Sequence, residues 1–137
     1  GVSMDRGAAM KASLDAGKPV AVTEVVSLAD SLGGGIGPNN RLSFGLCRDL
    51  LDEVVLVSEE DVYRALQALY FEDRFVAEGA SVVGIAACLS GKLPDLAGPV
   101  ATIVTGRNVD MNQFTRVVSG QDIDLGDVVL EGAPYAP

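Results

Sequence analysis

The sequence predicts an α/β fold: a parallel sheet with flanking helices. Two short apolar runs, residues 54–57 and 99–105, have the composition of strands that are covered on both faces. Segments with helical periodicity alternate with these runs, as in chains that build a parallel sheet. With 137 residues, 48% of them hydrophobic, the chain is long and apolar enough to form one domain with a buried core.

The first third of the chain is predicted to contain one short helix and much irregular chain. Residues 8–14 form the helix, and the sequence Ala-Gly-Lys-Pro at 16–19 ends it. The β-branched residues of 20–26 indicate extended chain. The glycines of residues 33–37 indicate a loop.

The middle of the chain carries the clearest strand-to-helix junction. Leucines recur at helical spacing over residues 40–52, and the apolar run 54–57 follows. Ser-Glu-Glu-Asp at 58–61 is a helix-capping signature, so a further helix is expected from 59 to about 75.

The last third is predicted to alternate in the same way. Its expected elements are a break at 77–80, an apolar helix ending at 90–91, the strand 99–105 and a short helix over 110–118. Residues 121–137 mix acidic residues with Gly and Pro and are predicted to be a C-terminal tail or an extended strap. Within this tail, residues 127–130 could pair as an edge strand.

Composition excludes several classes of partner and site. Nineteen acidic residues against ten basic ones give a net charge of -9, which repels nucleic acid and anionic lipid. The weakly polar stretch 79–89 is well short of the roughly 20 residues that cross a bilayer. The N-terminus does not resemble a secretory signal, so we expect a cytoplasmic protein.

The chain contains no histidine, which removes Ser-His-Asp and Cys-His catalytic sites and imidazole zinc sites. Its two cysteines, Cys47 and Cys88, are interpreted as buried small hydrophobic residues. Chemistry in this chain must therefore use other groups.

Ligands of parallel sheets bind outside the carboxyl ends of the strands, which singles out the loops 30–37 and 105–110. Both are rich in Gly and small polar residues, so a ligand could approach the backbone closely. Ordinary turns have the same composition, and the pattern alone leaves both interpretations open.

Four motifs resemble one family. Residues 105–110, Thr-Gly-Arg-Asn-Val-Asp after an apolar run, resemble the strand-end motif of fold-type II pyridoxal-phosphate enzymes of the threonine dehydratase and serine racemase family. Residues 27–31 are similar to its T-I-A-D-G segment, residues 48–54 to R-D-L-V-D-D, and residues 78–80 to an E-P-[ST]-A stretch. Together these landmarks are more specific than any one of them.

The resemblance implies a fold and a cofactor site. Residues 1–120 would be the C-terminal part of the large domain of a tryptophan synthase β-like enzyme, and pyridoxal 5'-phosphate would be the cofactor. The Thr105 hydroxyl would bond the pyridine nitrogen, and a neutral partner there suits β-elimination. The other implied cofactor-site residues are Gly106, Asn108, Glu78 and Ser31. A solvated helix-end carboxylate remains the alternative for Glu78.

The family's Schiff-base lysine and tetraglycine phosphate cup have no match here. Lys11, Lys18 and Lys92 lie in the wrong context, so the lysine is expected upstream of Gly1 and no catalytic residue is assigned within the chain. We expect this chain to be inactive by itself. Residues 33–35 are interpreted as a loop beside the pocket, because they do not lead into a helix as phosphate binding requires.

The resemblance also implies a reaction and partners. The intact enzyme would be an ammonia-lyase or dehydratase acting on a hydroxylated amino acid, as a homodimer or in association with an N-terminal half. The sequence is most similar to the branch described as hydroxyectoine utilisation dehydratase, and Ser31 stands where typical members have Gly. No metal site is predicted, because Ser3 and Ala9 cannot supply the family's carboxylates.

A non-catalytic α/β fragment or interaction module is the competing interpretation. A lysine and a tetraglycine loop encoded before Gly1 would favour the enzyme, whereas a start codon there would favour a separate module.

Overall fold

A computed structural model describes residues 1–94 and 96–137 and shows helices that alternate with short strands. The helices are α1 (Ala9–Ala16), α2 (Leu42–Leu50), α3 (Glu59–Asp73), α4 (Val83–Leu89) and α5 (Met111–Val118). The strands are β1 (Val2–Met4), β2 (Val55–Val57), β3 (Ile123–Asp124) and β4 (Val129–Leu130), and 3-10 turns span Asp30–Leu32 and Gly79–Val82.

Strands β1 and β2 form a parallel pair, with Val2 opposite Val55 and Met4 opposite Val57. This pair and its flanking helices confirm the predicted fold class and the predicted strand at 54–57. Strand β1 was not predicted, because three residues are too few to show a period of two. Strands β3 and β4 pair antiparallel, which confirms pairing at the end of the predicted edge segment.

Helix α3 lies at the centre of the core because one of its faces is apolar along its length. Its buried side chains recur at helical spacing and pack with residues of β2, the 3-10 turn Gly79–Val82, α4 and α5. The buried residues in this contact are Val62, Ala65, Leu66, Leu69, Val57, Val82, Ala86, Phe114 and Val117. Each large apolar side chain buried here stabilises the fold by about 1.5–3 kcal/mol.

The predicted capping signature marks the start of α3. The Ser58 hydroxyl accepts a hydrogen bond from the Asp61 N–H at 3.2 Å, and Asp61 Oδ2 accepts one from the Ser58 N–H at 2.9 Å. At the other end Arg74 adopts a φ of 60°, which ends the helix two residues before the predicted boundary.

The predicted strand at 99–105 is wrong as an element of this structure. The segment forms no ladder with any strand in the described part of the chain, and Ile103 is 81% exposed. An apolar run becomes a strand only when a neighbour satisfies its backbone groups, and composition does not report that neighbour. Similarly, Cys88 is exposed and Cys47 half-buried, contrary to the expectation that both are core residues.

Residues 121–137 pack against α3 and α5. Ile123, Leu125 and Leu130 are buried, and the buried Gln67 amide donates to the carbonyl oxygens of Val117 and Ala133 at 2.8 Å each. The division of the chain at residue 120 stays a prediction. In residues 1–94 and 96–137, no helix is long and apolar enough to cross a membrane.

Candidate functional site

Three loops meet at the carboxylate of Glu78. The Ser31 hydroxyl donates to Glu78 Oε1 at 3.0 Å, and the Asn108 backbone N–H donates to Glu78 Oε2 at 2.9 Å. The Glu78 N–H in turn donates to the Gly106 carbonyl oxygen at 3.4 Å. Four of the five residues predicted for the site, from three separate segments of the sequence, are therefore joined directly.

Position 106 requires glycine, because of its backbone conformation and because of the atoms close to it. Its φ of 88° lies in the region that favours glycine. A Cβ at this position would lie 2.6 Å from the carboxyl carbon of Glu78. The Gly106 carbonyl also accepts a hydrogen bond from the buried Ser81 hydroxyl at 3.3 Å, so the turn is held from two sides.

Thr105, the fifth predicted residue, immediately precedes this turn and is exposed. Its side-chain hydroxyl makes no hydrogen bond to any residue that the structure describes. A hydroxyl can both donate and accept a hydrogen bond, so Thr105 can serve either protonation state of a ring nitrogen.

The Ser31 loop is held close to Glu78 by contact between backbones. A Cβ at Gly79 would lie only 2.0 Å from the Leu28 carbonyl oxygen, so glycine is needed for the two chains to approach. Ser31 follows in the 3-10 turn Asp30–Leu32, which directs its hydroxyl to Glu78.

This arrangement fits the ring end of a pyridoxal phosphate. The exposed Thr105 hydroxyl lies next to the turn at Gly106, and the absence of a side chain at Gly106 lets a planar ring approach the backbone. The neighbouring Glu78 carboxylate is held by two hydrogen-bond donors. The glycines of 33–35 follow the end of a 3-10 turn and do not begin a helix, as the sequence indicated. They therefore lack the geometry of a phosphate cup.

Two further residues of the motif 105–110 are not among those that meet at Glu78. Asp110 is the N-cap of α5, where its side chain accepts a hydrogen bond from the Asn112 N–H at 2.7 Å. Arg107 is exposed in the loop. A mostly apolar cavity between α3 and residues 130–137 includes none of the five predicted residues.

Sequence reasoning missed two polar residues behind the site, Ser81 and Glu59. Both are buried, Ser81 at 5% exposure and Glu59 at 3%. Glu59 stands among three consecutive acidic residues at the start of a helix, a pattern that explains all three as N-terminal charges. Only the packing distinguishes Glu59 from its exposed neighbour Glu60.

The sequence matches one protein family and several curated relatives. The sequence model of the family described as "Pyridoxal-phosphate dependent enzyme" matches residues 1–106. A putative threonine dehydratase of Sinorhizobium fredii is 52% identical over 120 residues, 88% of this chain and 36% of that protein. An L-threonine ammonia-lyase of Geobacter sulfurreducens is 38% identical over 106 residues, 77% of this chain and 26% of that protein. The chain thus spans only 36% and 26% of the length of these two curated relatives.

Solved structures agree in fold. The processed form of threonine deaminase isoform 2 from Solanum lycopersicum superposes with a TM-score of 0.73 at 27% identity, covering 87% of this chain and 35% of that one. Maize serine racemase gives a TM-score of 0.73 at 25% identity, covering 83% and 36%. Both neighbours are fold-type II pyridoxal-phosphate enzymes.

Proposed function

Because this chain belongs to the pyridoxal-phosphate-dependent enzyme family, we propose that it forms the ring end of the cofactor site in an ammonia-lyase for hydroxylated amino acids. The observation that carries the proposal is the meeting of Ser31, Gly106 and Asn108 at the Glu78 carboxylate, directly beside Thr105. The overall reaction converts a β-hydroxy amino acid to a 2-keto acid and ammonia.

Thr105 would hold the ring nitrogen of the cofactor through its hydroxyl. When bound, pyridoxal phosphate supplies an electron-withdrawing ring that stabilises negative charge at the substrate's α-carbon. A neutral hydroxyl does not force a proton onto the ring nitrogen, so the withdrawal is moderate. Moderate withdrawal suits the loss of a β-hydroxyl group, which needs only a brief build-up of charge.

Glu78 would hold the Ser31 loop and the loop at residues 106–108 in fixed positions around the cofactor ring. One carboxylate oxygen accepts from the Ser31 loop and the other from the backbone after Gly106. Hydrogen bonds to a charged acceptor are about twice as strong as neutral ones, so this one side chain stabilises both loops.

The reactive amine would come from outside residues 1–137. Lys11 Nζ lies 2.6 Å from Asp15 in an ion pair along α1, and Lys92 Nζ lies 2.7 Å from Asp61 at the start of α3. Both ammonium groups are thus engaged by carboxylates that are not among the residues meeting at Glu78. We therefore propose that this chain is inactive without the rest of the enzyme.

We propose this substrate class on the basis of the relatives' names, putative threonine dehydratase and L-threonine ammonia-lyase. A hydroxylated amino acid derived from hydroxyectoine is the narrower proposal, and it rests on the resemblance and on the hydroxyl that Ser31 adds beside Glu78. A homodimer in the cytoplasm is the form that the same resemblance favours.

The test is steady-state keto-acid formation by the native protein that contains these residues, after removal and restoration of pyridoxal phosphate. L-threonine, L-serine and hydroxyectoine-derived amino acids would be compared. We expect product only with the cofactor, and we expect Thr105→Ala to lower kcat/KM by about tenfold or more through loss of the ring contact.

Thr115→Ala is the matched control, because the Thr115 hydroxyl donates to the Met111 carbonyl within its own helix. This variant should retain wild-type kcat/KM. Absence of cofactor-dependent product from every β-hydroxy amino acid would refute the lyase and favour the non-catalytic module.

A further inference from the structure

The carboxylate of Glu59 is buried although Glu59 is the first residue of α3. Its side chain is 3% exposed, and Oε2 accepts a hydrogen bond from the Leu28 N–H at 2.8 Å. Burying a carboxylate is costly unless other groups compensate its charge. The helix N-terminus provides part of that compensation.

Arg6 adds to this compensation and extends the contact to two more segments. Its Nε lies 3.7 Å from Glu59 Oε1, close enough for an ion pair. Its Nη2 donates to the Val26 carbonyl at 3.1 Å and to Asp127 Oδ1 at 2.6 Å. Within the described chain, Arg6 Nε and Glu59 Oε1 have no hydrogen-bond partner, so the Leu28 amide is the group that Glu59 holds most directly.

The segment that Glu59 holds is buried but belongs to no helix or strand. Ser27, Leu28 and Ala29 are each at most 5% exposed. Buried amides need hydrogen-bond acceptors, and here side chains supply them. The Ala29 N–H donates to the Ser27 hydroxyl at 2.9 Å, and the Leu28 N–H donates to Glu59.

The same segment leads directly into the candidate site. The Leu28 carbonyl faces the backbone of Gly79 with no room for a Cβ, and three residues after Leu28 the Ser31 hydroxyl reaches Glu78. A shift of the Leu28 peptide would therefore move Ser31 and press on the chain next to Glu78.

We propose that Glu59 is a positioning residue for the cofactor site: it fixes the Leu28 peptide and thereby sets Ser31 against Glu78. This inference rests on the proposed function, because that function makes the Ser31–Glu78 contact part of a pyridoxal phosphate site. Arg6 acts in support by compensating the buried charge.

The test uses the native protein with Glu59→Ala, Glu59→Gln and the control Gln67→Ala. Hydrogen–deuterium exchange of peptides covering residues 24–34 is measured without cofactor, and the visible circular dichroism induced in pyridoxal phosphate is measured with it. Glu59→Ala leaves the Leu28 N–H without an acceptor, so we expect exchange in this segment to be about tenfold faster or more. The induced circular dichroism should also change.

Two variants separate positioning from general stability. Glu59→Gln keeps an oxygen that can accept from Leu28, so it should restore most of the protection and the cofactor signal. Gln67→Ala removes two hydrogen bonds of a buried side chain, to the carbonyls of Val117 and Ala133, on the C-terminal side of the core. It should lower stability while leaving the 24–34 segment and the induced signal unchanged.

Unchanged exchange in Glu59→Ala, or an unchanged cofactor signal despite faster exchange, would overturn the inference. An equal change of that signal in Gln67→Ala would also overturn it. If Glu59→Ala does not fold, Glu59→Asp withdraws the acceptor by one methylene and should move both signals in the same direction. A wild-type protein that induces no signal in pyridoxal phosphate refutes the proposed function, whereas its exchange data still report whether Glu59 holds the segment.

Discussion

At the scale of single residues, Glu78 and its partners show how a half-buried carboxylate organises three loops. Both of its oxygens accept hydrogen bonds, one from Ser31 and one from the Asn108 backbone. The close approach at Gly106 makes these contacts sensitive to a single added methyl group.

Gly106→Ala should weaken binding of pyridoxal phosphate to the native protein. The new Cβ would lie 2.6 Å from the Glu78 carboxyl carbon, and the displaced side chain would lose its bonds to Ser31 and Asn108. We expect an increase in Kd of about tenfold or more, since each lost bond contributes about 1 kcal/mol. Spectroscopic titration of the cofactor-free protein measures this change.

Gly126→Ala is the matched control for backbone strain. Gly126 has a φ of 91°, close to that of Gly106, but a Cβ there meets nothing within 4 Å. Both variants should lose about 1 kcal/mol of stability from the left-handed conformation. Equal cofactor affinity in the two variants would contradict the role given to Glu78.

The sequence singled out a candidate site residue only where that residue lies in a recognisable local motif. Thr105, Gly106 and Asn108 lie in one short motif, and Ser31 and Glu78 lie in two others. Glu59 was not predicted, because the role proposed for it depends on a hydrogen bond to Leu28, 31 residues away. Local patterns do not report contacts of that kind.

At the scale of elements, α3 is the best-determined part of the chain. Its capping box, its apolar face and the strand before it all predict the same helix, and the structure confirms it. The segment 99–105 is the opposite case, since its strand character depends on a neighbour that sequence composition does not describe.

Asp61→Asn should destabilise α3 in a pH-dependent way. Burial raises the pKa of Asp61, but the hydrogen bonds with Lys92 and Ser58 outweigh it and hold the pKa below its usual value. Stabilisation by the ionised form is thus fully present above the unfolded pKa of about 3.9 and is lost as pH falls through the lower folded value. The variant should be about 1 kcal/mol less stable near neutral pH and equal to wild type in strong acid.

Asp73→Asn makes the same substitution at the other end of α3. A negative charge near a helix C-terminus is unfavourable, so this variant should be neutral or slightly stabilised. Denaturant unfolding of both variants across pH gives the comparison. A loss of stability in Asp61→Asn that does not depend on pH would contradict the ionic contribution of Asp61.

At the scale of the whole molecule, the core depends on the C-terminal end of the chain. The core around α3 is closed by residues 121–137, which the sequence indicated as a tail or strap with one possible edge strand. Acidic residues and glycine interrupt the buried side chains Ile123 and Leu125, and only the short run 128–130, which includes the buried Leu130, is continuously apolar.

The central claim is that this chain contributes the ring end of a pyridoxal phosphate site whose reactive lysine lies outside residues 1–137. Borohydride reduction of the native protein with its cofactor, followed by peptide mapping by mass spectrometry, tests it most directly. The account predicts one pyridoxyl-lysine outside this chain, with Lys11, Lys18 and Lys92 unmodified. A pyridoxyl group on any of these three lysines, or on no lysine at all, would contradict it.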